Sequence, residues 1–197
     1  MELWLPKVTN IGKAAFKDCS HLSTVIVSDK LTTIAADTFN SCKNFCNLQG
    51  VPSTYNFKDT EDVYTSLQVT HIGKRAFKGC EHISMFTMPH LLRLIEVIDD
   101  EAFFKANVNG GMVSKQMIIP NSITKLGNRS LQLNNIYKNH TREWVFIHQN
   151  PTQIECGTDV FPSNYINIHI PAGSLNNYLQ AFPNLTSDKF TEIDLND

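Results

Sequence analysis

The chain of 197 residues lacks most of what would announce a chemistry. It carries five cysteines, an odd number, so a complete disulfide framework is excluded. Neither charge dominates: 17 basic against 19 acidic side chains leave a net charge of −2, which gives no electrostatic case for nucleic acid or an acidic membrane. No run approaches the roughly 18 apolar residues of a spanning helix, so direct membrane insertion is not expected. The start, MELWLPKVTN, has neither the basic opening nor the apolar stretch of a secretory leader. HExxH, GxSxG and a glycine-rich phosphate loop are missing, as is a pair of carboxylates on a defined element. The short run Asp99, Asp100 and Glu101 reads as a solvated helix start. Cys19-x-His21 and Cys80-x-His82 match no tetrahedral zinc spacing. The reading is a non-enzymatic chain without cofactor or metal.

What the chain does have is internal repetition. Apolar residues make up 42% and charged residues 18%, too apolar for disorder. Residues 69–89, VTHIGKRAFKGCEHISMFTMP, repeat residues 8–27, VTNIGKAAFKDCSHLSTVIV, with 11 identities in 20 positions at an offset of 61. A weaker copy lies between them, where Ile34, Phe39 and Cys42 fall 23 residues after Ile11, Phe16 and Cys19. Self-similarity at this period marks a solenoid, which grows by stacking turns.

Each copy has two halves. In I-G-x-x-A-F-x-x-C, Ile72, Ala76, Phe77 and Cys80 fit one face of a short helical turn. In L-x-x-V-x-I-P the apolar positions alternate as in a half-buried strand, and the proline stops it. A strand plus a helical turn in about 23 residues is the leucine-rich-repeat plan.

This pattern resembles the BspA-like (treponemal-type) leucine-rich repeats of bacterial surface proteins of the Bacteroides type. Phenylalanine and cysteine stand where other leucine-rich repeats carry leucine and asparagine. The resemblance implies an α/β solenoid, a right-handed superhelix with a parallel concave sheet of about seven strands and short helical turns on the convex side. It also implies a cell-surface or secreted location and adhesion to a protein ligand, such as a host or matrix protein.

Residues 1–171 are read as the repeat domain, with insertions near 51–68, 105–113 and 134–143, and 172–197 as a C-terminal capping segment. The inner row of the strands is expected at Leu5, Val27, Gly50, Met88, Ile119, Ile147 and Ile170. Gly50 thins that row. Asp99 replaces the glycine of Ile-Gly, which suggests that the backbone does not strictly require it. Ser174 is the expected N-cap of a helix running to about Phe182, and Phe190 and Ile193 suggest a last extended piece. The first repeat has no such closure, so it is expected to fray or to find a partner.

Cys19, Cys42 and Cys80 share one core position and read as a stacked ladder of free thiols. Stacked strands lie about 4.8 Å apart, within disulfide reach, so a Cys19–Cys42 bridge is the alternative. Alternation along the strands places Trp4, Ile26, Met85, Ile118, Trp144, Phe146 and His169 on the concave face. Large apolar residues there read as anchors for a ligand. The plain alternative is that such residues simply suit strands. A glycan stacked on Trp4, Trp144 and Phe146, or a structural spacer within a larger surface protein, are the other functional readings.

Overall fold

A computed structural model of the chain describes residues 1–52, 64–84, 91–109, 117–134, 142–148, 150–163 and 166–194. The insertions near 51–68 and 134–143 fall largely outside these residues and that near 105–113 in part, and Met85 and Met88 lie outside them. The described residues form a β-solenoid whose turns stack through three separate ladders, all parallel.

The first ladder is the row of longer strands. β1 (Glu2–Leu5), β2 (Thr24–Ser28) and β4 (Asn47–Val51) make one parallel sheet. β6 (Ile83–Ser84) pairs with β8 (Val108–Asn109). β9 (Met117–Ile119), β11 (Arg142–Phe146), β13 (Ile166–Pro171) and β14 (Phe190–Ile193) make another sheet in that order.

The second ladder is built by the isoleucine of Ile-Gly. β3 (Thr33–Ile34), β5 (His71–Ile72), β7 (Val97–Ile98), β10 (Lys125–Leu126) and β12 (Glu155–Cys156) are two-residue strands in one parallel sheet, which Ile11 joins by a bridge to Ile34. Six turns are thereby in register.

The third ladder replaces the expected convex helices. In A-F-x-x-C the main-chain N–H groups reach the next turn instead of closing a helix: Phe16 donates to Thr38 O at 2.9 Å, Phe39 to Ala76 O at 2.8 Å and Phe77 to Ala102 O at 2.8 Å. The residue three after each isoleucine is left-handed, with φ of 56° at Ala14, 60° at Asp37, 56° at Arg75, 57° at Glu101, 53° at Arg129 and 51° at Asp159. Left-handed residues at these places interrupt an α-helix. Spacings of four and five residues suit one helical face, but they equally suit this kinked, inter-turn-bonded run. Asp99, Asp100 and Glu101 accordingly lie in the ladder and not at a helix start. Asp99 meets His71 at 2.8 Å, and Glu101 meets Lys78 at 2.6 Å.

The core runs through the middle of the three ladders. Phe16, Phe39, Phe77 and Phe103 stack, with ring centroids 5.5, 5.3 and 5.1 Å apart and planes within 16°. The thiols lie beside them as a ladder: Cys42 Sγ donates to Phe16 O at 2.8 Å and Cys80 Sγ to Phe39 O at 3.1 Å. All five cysteines are free. Phe16, Cys19, Leu3, Leu5 and Val8, on the first turn, are only partly buried.

Two glycine expectations change. The gap left by Gly50 is filled by Leu67, which is buried in the core. A Cβ at Gly50 would come within 2.8 Å of Thr65 O and 3.1 Å of Leu67 Cδ2. Ile-Gly is also more constrained than Asp99 suggests. A Cβ at Gly127 would stand 2.4 Å from Asp100 N, and one at Gly157 2.4 Å from Asn128 N, so glycine lets these turns close.

Beyond the last turn, helix α1 (Leu175–Ala181) lies close to Phe190. Ser174 is its N-cap residue, yet its hydroxyl donates to Pro171 O, and Glu192 Oε1 accepts from Leu175 N at 3.1 Å. Tyr178 Oη donates to His148 O at 2.6 Å, and burial raises its phenol well above the ordinary range.

Candidate interaction surface

The strand register decides which side chains face outward. In the sheet from β9 to β14, Ile118 lies beside Val145, Val145 beside His169, and His169 beside Thr191. This row points away from the core. Glu143 and Asn167 form the neighbouring row. Ile118 is 53% exposed, the most open apolar side chain among the described strands, while Val145 is 7% exposed. A polar network borders them. Thr191 Oγ1 donates to Asn167 Oδ1 at 3.0 Å, Asn167 Nδ2 lies 3.2 Å from His169 Nε2, and His169 Nε2 lies 3.9 Å from Glu143 Oε2. An apolar anchor edged by polar side chains is the usual anatomy of a contact site.

In the sheet from β1 to β4 the outward row is Trp4, Ile26 and Gln49. Trp4 is 38% exposed. Ile26 faces outward as expected but is closed off at 1% exposure, outside the core cluster, so it offers no contact area.

Trp144 and Phe146 are corrected. They pair with Met117, Ile119 and Ile168 in the inner row and are fully buried. Val145 takes the outward place. The run W-V-F-I has no polar residue to mark its outer side, and a one-residue slip turns every side chain over. Ring volume decides the outcome. Trp144 packs edge-on to Phe161 at 5.3 Å, and Phe146 meets Tyr178 at 5.3 Å and Phe182 at 5.8 Å. The inner position on β11 is therefore Phe146, not Ile147. Of the residues singled out from the sequence, Trp4, Ile118 and His169 stand outward and at least partly open, and Met85 lies outside the described residues.

The left-handed position carries a feature not read from the sequence. Asp37, Arg75, Glu101, Arg129 and Asp159 occupy it on successive turns, so charge alternates along the solenoid. Arg75 grips Asp37 through Nε at 2.8 Å and Nη2 at 2.9 Å, and Arg129 reaches Glu101. The Arg75 bond is the main cause that holds the Asp37 carboxyl down at about 2, and the Lys78 bond lowers Glu101 in the same way. Phe104 lies under three cations, with Arg129 Cζ 4.7 Å, Lys78 Nζ 5.1 Å and Lys105 Nζ 5.3 Å from its ring centre. Reading the third residue after each isoleucine as a column would have shown the alternation.

Among the described residues no three His, Cys, Asp or Glu side chains gather as a metal site, and no helix is long and apolar enough to cross a membrane.

The family model for the BspA type leucine rich repeat region matches residues 2–138 in 6 copies. No curated protein matches the chain, and no solved structure does.

Proposed function

Because this chain belongs to the BspA-type leucine-rich repeat family, we propose that it is a non-enzymatic protein-interaction module whose contact face is the outward side of the β9–β14 sheet. The observation that carries this reading is Ile118, 53% exposed on a strand and bordered by the Glu143, His169, Asn167 and Thr191 network. Trp4 would extend the contact at the other end of the solenoid. The family supports placing the module at the cell surface or outside the cell, with a host or matrix protein as ligand.

Within this reading residues 1–171 are the repeat domain and 172–197 its closing segment. Phe146, Phe161, Tyr178, Phe182 and Phe190 support the second part, because they join the last turn to α1 and β14 in one aromatic cluster. The glycan reading loses two of its three stacking surfaces, since Trp144 and Phe146 are buried.

The test is capture of native and deglycosylated matrix proteins by the immobilised chain, compared with the I118D/H169A double variant. Capture of both glycoforms by the parent and its loss in the variant, with an unchanged unfolding curve, is the expected result. Equal capture by the variant would rule out this face. Capture of the glycosylated form alone would favour the glycan.

A further inference from the structure

The third ladder has a direction, and its last two donors have no partner among the described residues. On each turn the N–H groups three and five residues after the isoleucine donate to the following turn. Arg75 and Phe77 donate to Asp100 O and Ala102 O, Glu101 and Phe103 to Asn128 O and Ser130 O, and Arg129 and Leu131 to Thr158 O and Val160 O, all at 2.8–3.0 Å. The next donors in the series are Asp159 and Phe161. Asp159 keeps the left-handed conformation of its predecessors, at φ 51°, and Phe161 is buried at 3% exposure. Neither N–H has a hydrogen-bond partner among the described residues. Asp159 is exposed and Phe161 buried, so the two N–H groups form the open edge of the ladder, a template on which another chain can pair.

Both residues line a cleft of about 350 Å³ between the last turn and the C-terminal segment. Cys156, Val160 and Phe161 line it on one side, and Phe182, Pro183 and Leu185 on the other. Its size lies within the range of roughly 300–1,000 Å³ that takes small ligands. Asp159 stands at its edge, its carboxylate accepting from Asn184 Nδ2 at 3.0 Å.

We propose that this cleft receives a short extended segment of another polypeptide, which bonds to the last turn as a further turn of the solenoid would. The segment's chemistry follows from the ladder. It must offer carbonyls on alternate residues to Asp159 and Phe161, as strand addition at an open edge requires. Small residues precede the large apolar one on most turns, as in Ala76-Phe77 and Ala102-Phe103. The alternation Asp37, Arg75, Glu101, Arg129, Asp159 calls for a cation next. The fitting segment therefore reads basic, small, large apolar. The proposal rests on the reading of the chain as a protein-interaction module, but at a site apart from the β9–β14 face.

The experiment is an NMR titration of the ¹⁵N-labelled full chain with the capped peptide GKRAFKG, which copies residues 73–79. The expected result is downfield movement and exchange protection of the Asp159 and Phe161 amides. A peptide with glutamate in place of the arginine should bind about tenfold more weakly, for the lost charge pair. S163W, a substitution at the exposed rim, should block the response, while I118D/H169A should leave it intact. No amide movement up to millimolar peptide would overturn the proposal, as would movement confined to other residues. Asp159 and Phe161 amides already protected in the free chain would do the same. If the peptide fails while the outward face still captures protein, this inference alone is lost. If the peptide binds while that face fails, the β9–β14 site is lost.

Discussion

Arg75 and Asp37, on neighbouring turns and both left-handed, are joined by two parallel hydrogen bonds of 2.8 and 2.9 Å. The two-pronged geometry is the strong form of the carboxylate–guanidinium pair. The pair braces two turns at the same place where their main chains bond, because Asp37 N donates to Lys74 O at 2.9 Å.

The first prediction concerns acid. The Asp37 carboxyl is held at about 2, below its ordinary 3.8, chiefly by the Arg75 hydrogen bond. A group lowered on folding contributes stability above its unfolded value and loses it as pH falls through the folded value. Stability should therefore fall between about pH 4 and pH 2. D37N should remove on the order of 1–2 kcal/mol at neutral pH, discounted for the solvent-facing side of Arg75, and flatten part of that acid slope. Asparagine tolerates the left-handed backbone, so no new strain confuses the comparison. Urea titrations from pH 2 to 7 give the measurement. An unchanged slope in D37N would show that the pair is without thermodynamic weight.

The second prediction concerns the stack of rings. Phe77 is fully buried between Phe39 and Phe103, whereas Phe16 caps the stack and is only partly buried. F77A should cost about 3–5 kcal/mol, as core aromatics do. F16A should cost well under half of that, because it opens no enclosed cavity. Denaturant unfolding of both variants distinguishes them. Equal losses would mean that the first turn is as tightly held as the third.

These two cases show where the sequence was readable. The offset of 61 placed Phe16 and Phe77, and Cys19 and Cys80, in equivalent positions, and the stacked rings and thiols followed. What the spacing could not separate was a helical turn from a left-handed, inter-turn-bonded one, since both bring Ile72 and Phe77 to one side. Nor could it orient W-V-F-I in β11. Every residue of that run is apolar, and its direction depends on Phe161 and Phe182, distant in sequence. Ile26 illustrates a third limit. Alternation placed it outward, but its closure at 1% exposure depends on long-range packing that no local pattern encodes.

The third prediction isolates backbone strain. Gly79 has φ 68°, and a Cβ there would meet nothing nearer than 3.9 Å. G79A should therefore cost about 1 kcal/mol for conformation alone, without a clash. Lys105, at φ 58°, occupies the same place one turn on. K105G should relieve that strain but loses the Lys105 contact with the Phe104 ring and adds the greater entropy of the unfolded glycine, so it should come out near neutral. Thermal melts of the two variants should move by clearly different amounts. A stabilised G79A would mean that the left-handed turn relaxes freely.

The fourth prediction uses the thiols as reporters of each turn. Burial is the main cause that pushes Cys42 up to about 11 and Cys80 further still, and each donates to a phenylalanine carbonyl of the turn before. The thiolate is the reactive form, so both should resist alkylation in the folded chain at pH 8. Cys19 lies on the open first turn and is partly exposed. With a mild alkylating reagent and peptide mapping by mass spectrometry, Cys19 should label first. Cys42 and Cys80 should label only at the rate of unfolding, so their labelling should quicken together across a denaturant series. Cys80 labelling ahead of Cys19 would contradict the placement of the third turn inside the stack. Cys42 labelling together with Cys19, and ahead of Cys80, would instead show that the N-terminal turns open as a unit while the rest of the solenoid stays closed.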